Sequence, residues 1–168
     1  MTKVSGFLLA HAPSIINIGE QLLLAWYGVR ALKESEQRTL QSIWLSSFTK
    51  NEWSDPIELV NHKTESCWNP VLYKHPDNEI WLFYKTGNGP IDWLGKVIVS
   101  KDNGLTWSKS YNMPNGYLGP TKNSPLTLEG ENIIIGSSRE SFSAQNVCFE
   151  KYHLVSGEKS KKLLVNKL

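Results

Sequence analysis

Cysteine is nearly absent from this chain: its 168 residues hold two, Cys67 and Cys148. They share no short spacing, so they make no zinc-ligand pair, and both read as free, buried thiols, with a disulfide between them the alternative. Histidine is almost as scarce, with four residues and no His-x-x-x-His pattern. His62 and His75 fall in or beside turn signals and are expected to be solvated. Asp77-Asn78 and Asp102-Asn103-Gly104 supply too few oxygens for calcium, which takes six or more. No metal and no organic cofactor is therefore expected. Charge of one sign is missing too. The net charge of +2 argues against a nucleic-acid partner bound by phosphate neutralisation. Lysines gather only in Glu158-Lys159-Ser160-Lys161-Lys162, read as a solvated tail. Long apolar runs are also lacking, and none approaches the ~20 residues of a membrane span. Phe7-Leu8-Leu9-Ala10 is interrupted by His11 and Pro13, too short for the apolar core of a signal peptide. A soluble protein is expected, cytoplasmic or of undetermined compartment, with no membrane partner.

What is plentiful is aromatic: 11% of residues, seven of them tryptophan, against 20% charged. That loading suits strands and their cores. No long stretch has a helical period, so the chain reads as all-β.

Self-comparison gives the organisation. Pro13-Ser14-Ile15-Ile16 recurs as Pro70-Val71-Leu72-Tyr73 and as Pro125-Leu126-Thr127-Leu128, offsets of 57 and 55. After each comes a turn and a second apolar run: Leu22 to Tyr27, Ile80 to Tyr84, Ile133 to Gly136. Third strands follow at Ser42 to Ser46 and Lys96 to Ser100. Trp53 and Trp107, 54 apart, each lead a fourth. Four short strands per repeat is the signature of a propeller blade. The spacing places blade 1 at about 8–60, blade 2 at about 66–113, an incomplete blade 3 at about 120–155 and a basic tail at 156–168. The third repeat has no Trp-led strand, so the expected architecture is one partial arc of two and a half to three blades. Its open edges invite self-association.

Ser100-Lys101-Asp102-Asn103-Gly104-Leu105-Thr106-Trp107 reads S-x-D-x-G-x-T-W between two strands. Asp102 is short enough to bond the amides that follow it. Gly104 supplies the positive φ such a turn demands. Thr106 adds a hydroxyl at the exit, and Trp107 folds back as an apolar lid. In the first repeat the motif is degenerate: Ser46 and Trp53 remain, but Phe48 and Lys50 stand where Asp and Gly would be.

Strand alternation sorts the loops. In a four-stranded meander the start of strand 1 and the loop between strands 2 and 3 share one face, and the S-x-D-x-G turn lies on the other. The long loops, 28–41 and 85–95 with the segment after Gly136, therefore define the binding face. Its polar residues are His11, Arg30, Glu34, Glu36 and Arg38 in blade 1 and Asn69, Lys85, Asp92 and Trp93 in blade 2. Blade 3 adds Lys122, Asn123, Arg139 and Glu140. The concentration of Arg and Lys points to an anionic or hydroxyl-rich ligand such as a glycan.

These residues carry a resemblance. His11-Ala12-Pro13-Ser14-Ile15, Leu24-Ala25-Trp26-Tyr27-Gly28, Cys67-Trp68-Asn69-Pro70, Trp81-Leu82-Phe83-Tyr84-Lys85 and the Asp-box at 100–107 resemble BNR-repeat, sialidase (neuraminidase)-like proteins. So do Leu118-Gly119-Pro120-Thr121-Lys122-Asn123-Ser124-Pro125 and Gly136-Ser137-Ser138-Arg139-Glu140. The resemblance spans about residues 8–150 and implies the N-terminal part of a six-bladed β-propeller with glycosidase ancestry. Sialidases hold the sugar carboxylate with three arginines and use an Asp acid/base with a Tyr nucleophile assisted by a Glu, outside the two-carboxylate rule of most glycosidases. His11 stands where the first arginine would be. Leu40 stands at the Asp position, with Glu36 the nearest carboxylate and the candidate catalytic residue. The remaining groups would come from later blades. The resemblance thus implies a sialidase-like hydrolase domain that is incomplete or inactive by itself. A non-catalytic carbohydrate-binding or protein-interaction propeller fragment is the alternative, and a relic without independent function is a third reading.

Overall fold

The computed structural model describes residues 6–30, 40–129, 132–153 and 163–165. All regular structure within them is β. Sheet 1 holds β1 (Phe7–Asn17), β2 (Leu22–Arg30), β3 (Ser42–Thr49), β4 (Glu52–Trp53) and β5 (Ile57–Val60). Sheet 2 holds β6 (Ser66–Lys74), β7 (Ile80–Gly87), β8 (Leu94–Ser100) and β9 (Tyr111–Asn112), and sheet 3 holds β10 (Leu126–Leu128), β11 (Asn132–Glu140), β12 (Gln145–His153) and β13 (Leu163–Val165). Each is an antiparallel meander, β1-β2-β3-β4, β6-β7-β8-β9 and β10-β11-β12-β13 in order.

Several elements differ from the sequence expectation. Strand β1 starts at Phe7 rather than near Pro13, because a bulge between His11 and Ser14 lets pairing with β2 continue past the proline. β6 has the same bulge between Trp68 and Val71. Ala12 and Asn69, each just before the repeat's proline, take φ of 49° and 43° there. Trp53 and Trp107 do not lead full fourth strands. β4 ends at Trp53 and β5 resumes pairing with β3 at Ile57, across Ser54-Asp55-Pro56, where proline has no N–H to give. In sheet 2, Trp107 to Ser110 are outside the ladder and pairing returns at Tyr111. Sheet 3 gains its fourth strand from the lysine-rich tail: Leu163–Val165 pairs with β12.

The two 3–4 turns also differ. In sheet 1, Lys50 and Asn51 both have positive φ, 51° and 65°, closing a two-residue hairpin of the type that suits strand twist. Phe48 and Trp53 then face each other across it, ring centroids 5.2 Å apart. The degenerate box is thus a plain tight hairpin. The box of sheet 2 is a longer loop built on side chains. The Asp102 carboxylate accepts the Thr106 amide at 2.8 Å, the Ser100 hydroxyl at 2.8 Å and the Thr106 hydroxyl. Those hydrogen bonds, from Thr106 first, hold its pKa down at about 2. Gly104 has φ of +86°, and a Cβ there would lie 2.7 Å from Leu23 Cδ1 of sheet 1. The Trp107 indole donates to the Gly104 carbonyl at 3.1 Å, and its ring packs on the core between sheets 1 and 2.

Period-2 alternation sends alternate residues to the two faces of each sheet. Between sheets 1 and 2 lie Leu23, Ala25, Ile43, Leu45, Leu72, Leu82 and Tyr84. Between sheets 2 and 3 lie Val71, Tyr73, Phe83, Ile133, Ile135 and Tyr152. First strands are stitched across the stack: Leu72 N–H donates to Ser14 Oγ at 2.9 Å, Ser124 Oγ donates to Leu72 O at 3.0 Å, and Tyr73 and Thr127 share a hydroxyl hydrogen bond of 2.9 Å. Cys67 is free and buried, its thiol pushed up to about 12 by desolvation. Cys148 is free but only half-buried, since it lies near the β11–β12 turn rather than mid-core. His75 is 6% exposed and stacks on Trp81 at 5.0 Å, so it is a core histidine and not a solvated one.

Candidate functional site

The antiparallel register puts the start of each first strand and the β2–β3, β7–β8 and β11–β12 connections at one end of the stack, opposite the box turn. At that end the loop 88–93, the segment after β9 and the end of β11 enclose a groove of about 440 Å³. Its walls include Trp93, Leu94, Asn112, Tyr117, Arg139 and Glu140. Three residues expected from sequence, Trp93, Arg139 and Glu140, therefore come together.

The loop that presents Trp93 is shaped by its neighbour. The Asp92 carboxylate accepts the Gly89 amide at 2.8 Å, the Asn88 amide at 3.2 Å and the Asn88 side-chain amide at 2.9 Å. These bonds lower its pKa. Asp92 is thus spent on closing its own loop, and its role is to aim Trp93.

The opposite wall is the segment 116–121, which crosses from sheet 2 to sheet 3. Its backbone polar groups are met by side chains, as buried backbone requires. Glu150, 2% exposed, accepts the amides of Leu118 at 2.8 Å and Gly119 at 2.9 Å, and the Tyr152 hydroxyl at 2.8 Å. Ser137 Oγ donates to the Gly119 carbonyl at 2.9 Å, Lys85 Nζ donates to Pro120 O, and Arg139 donates to Gly116 O. The segment lies so close on Gly95 that a Cβ there would collide with the Leu118 carbonyl. Burial, and then the charge of Glu150, raise the pKa of Tyr152. Lys85 is fully buried; desolvation lowers its pKa to about 7, and Glu150 opposes the shift. The sequence placed Lys85 in a loop open to ligand. It instead belongs to β7 and points at the crossing segment, because pairing of β7 with β8 runs on to Thr86.

Other expected residues fall elsewhere. His11 is exposed at the mouth and stacks on Tyr27 at 5.9 Å. Tyr27 meets Trp68 at 5.5 Å, and Trp68 meets Trp93 at 6.0 Å. A stripe of four rings thus runs from His11 in sheet 1 to the groove. Trp68 is fixed by its indole donating to Gly87 O at 2.8 Å. Asn69 is half-buried in the β6 bulge. Arg30 lies over the Trp44 ring at 5.6 Å. Lys122 and Asn123 are exposed before β10 and outside the groove's lining. Glu34, Glu36 and Arg38 lie outside the described residues. Sequence reasoning missed Tyr27, Tyr117 and Glu150. The first two read as ordinary strand or loop aromatics. Glu150 left one signal, a lone acid between Cys148 and Tyr152 on the inward-facing parity of β12.

The groove offers aromatic rings for apolar sugar faces, asparagine for hydroxyls, and a guanidinium whose remaining N–H groups suit a carboxylate. Glu140 is the one carboxylate among the described residues that line it. No group of three or more metal-ligating side chains occurs among the described residues, nor any helix long and apolar enough to cross a membrane.

The BNR repeat-like domain profile matches residues 20–162. Among solved structures, the chain superposes on the Hadza microbial sialidase Hz136 with a TM-score of 0.69 and 12% identity, over 88% of this chain and 36% of that one. Against the Trypanosoma rangeli sialidase in complex with sialic acid the TM-score is 0.67 at 10% identity, over 91% and 30%. Against the Penicillium chrysogenum alpha-L-arabinanase complexed with arabinobiose it is 0.63 at 14% identity, over 99% and 52%. At these identities the likeness is one of fold: an all-β, sialidase-type propeller arc. The chain spans from about a third to half the length of these structures. No curated protein sequence matches it.

Proposed function

The chain belongs to the BNR repeat-like family, and from that premise we propose that it is a sugar-recognition arc of glycosidase ancestry. Its groove takes a carboxylated glycan, and the chain alone binds without hydrolysing. The observation that carries this reading is the lining of the groove: Trp93 and Tyr117 beside Arg139, with Glu140 as the sole carboxylate among the described residues that line it. Rings and a guanidinium give affinity and orientation for an anionic sugar. Hydrolysis by the common route asks for two carboxylates flanking the scissile bond, and the covalent route asks for an activated nucleophile. A single half-buried Glu140 supplies neither arrangement. The sialic acid complex of the Trypanosoma rangeli sialidase supports an acidic sugar as the first ligand to test.

Calorimetric titration of the whole chain with a sialoside tests the reading, alongside a turnover assay on a chromogenic sialoside. Saturable binding without product release is expected, with Arg139→Ala weakening it about tenfold, equivalent to about 1.4 kcal/mol. Product release by the pure chain, abolished by Glu140→Gln, would replace the binding reading with a catalytic one.

A further inference from the structure

Asparagine followed by glycine occurs three times: Asn88-Gly89, Asn103-Gly104 and Asn115-Gly116. The pair is chemically reactive for a simple reason. The glycine amide nitrogen closes on the asparagine side-chain carbonyl, and glycine has no Cβ to stand in the way. Closure needs that N–H unengaged, so the hydrogen bonds around each pair decide which one reacts.

Two pairs are locked. Gly89 N–H donates to Asp92 Oδ1 at 2.8 Å while the Asn88 side-chain amide donates to Asp92 Oδ2 at 2.9 Å, so one carboxylate holds both reacting groups. Gly104 N–H donates to Ser100 Oγ at 2.8 Å inside the box turn, where Leu23 of sheet 1 lies against the glycine. The third pair is free on both sides. Asn115 and Gly116 are exposed, and neither the Asn115 side chain nor the Gly116 N–H has a hydrogen-bond partner among the described residues. Their turn leaves them so. Tyr117 N–H donates to Pro114 O at 2.9 Å, and Gly116 has φ of 81°. That is a type II turn, whose hydrogen bond joins the outer residues and leaves the central peptide to solvent. Arg139 donates to Gly116 O, and a cation there favours loss of the nearby amide proton.

We propose that Asn115 is a site of spontaneous modification that adds a carboxylate to the wall of the groove. The Gly116 nitrogen gives up its proton and bonds to Asn115 Cγ. The Cγ–Nδ2 bond breaks, and the side-chain nitrogen leaves as ammonia with that proton. Water then opens the cyclic imide at either carbonyl, giving aspartate or isoaspartate, and nothing is oxidised or reduced. Either product is negatively charged where the amide was neutral. Asn115, Gly116, Tyr117 and Arg139 line the groove together, so the new charge competes with an anionic ligand for the guanidinium. Isoaspartate also adds a methylene to the backbone and so displaces the turn that carries Tyr117. Modification therefore closes the groove to acidic sugars. That consequence rests on the sugar-binding reading; the modification itself does not.

The test is peptide mapping by mass spectrometry of the whole chain, aged in mildly alkaline buffer both folded and in urea. In the folded chain Asn115 should show the mass change of amide to acid, with Asn88 and Asn103 intact. In urea, where no fold protects them, all three should react alike. Reaction of folded Asn88 or Asn103 as fast as Asn115 would overturn the assignment. So would an Asn115 that survives in the folded chain while all three react in urea. The modified fraction, separated by anion exchange, and the Asn115→Asp variant should each bind a sialoside about tenfold more weakly than fresh chain, through the added like charge. Asn115→Gln should keep through the same ageing whatever affinity it starts with. Undiminished affinity in the modified fraction would overturn the closing of the groove. A fresh chain that binds no sialoside would overturn the sugar reading and that consequence with it, while the mass map still decides the modification.

Discussion

Glu150 receives the amide of Leu118 at 2.8 Å from 32 residues further along the chain, tying the middle of sheet 3 to the wall of the groove. With Gly119 and Tyr152 it satisfies three donors inside the protein. Replacing it by leucine leaves those donors unpaired, and each orphaned buried group costs about 1–3 kcal/mol. Glu150→Leu should therefore lower the stability read from urea unfolding by about 3 kcal/mol or more. Sugar affinity should fall in whatever fraction stays folded.

Lys85 sets a pH dependence. Its pKa is lowered from 10.5 to about 7 by burial, so between those values the unfolded chain holds more protons than the folded one. Stability contributed by this group therefore rises with pH from about 7 towards 10.5, by at most about 1.4 kcal/mol per pH unit. Below pH 7 the cost of the buried charge is fully present. Lys85→Met removes the charge while keeping much of the volume. Urea midpoints from pH 6 to 10 should climb for the native chain relative to the variant, and parallel curves would refute the assignment.

The box turn should be separable from the groove. Asp102→Ala removes the acceptor of Thr106 and Ser100, so Tm should fall while sugar affinity is unchanged. Gly104→Ala forces a Cβ onto φ of +86° and against Leu23, a strain of about 1–2 kcal/mol. Because the pKa of Asp102 is held at about 2, its contribution should persist above the ordinary carboxylate value and disappear only as pH falls through about 2. Acid titration of the Thr106 amide resonance reads this directly.

Within the groove, Trp93→Ala should weaken sugar binding by about tenfold, in line with about 1–1.5 kcal/mol for a lost aromatic contact. Lys122→Ala should leave it unchanged, because Lys122 lies outside the lining. Isothermal titration of both variants distinguishes a site at the groove from one at the mouth of sheet 3.

The repeat was legible because Pro13, Pro70 and Pro125 mark three first strands, and because β2, β7 and β11 are apolar runs between turn signals. That the long loops share one end was legible from strand alternation alone, and Trp93, Arg139 and Glu140 meet there. Lys85 was not, since nothing local tells a strand's last buried residue from a loop's first exposed one. Its partner carbonyl, Pro120, is 35 positions away. Nor was the fourth strand of sheet 3: a lysine-rich tail with three apolar residues looks solvated until β12 offers it an edge. The hairpin that stands in place of the degenerate first box was hidden for a related reason. A two-residue hairpin with positive φ at Lys50 and Asn51 carries none of the usual glycine signal.

Sugar binding at the long-loop end is directly observable through the seven tryptophans. Their indole N–H resonances should be followed while a sialoside is added to the whole chain. Saturable movement of Trp93 and a smaller one of Trp68 are expected if the groove binds the sugar, with Trp53 and Trp107 at the far end unmoved. Movement of Trp107 or Trp53, or no movement at millimolar sugar, would contradict it.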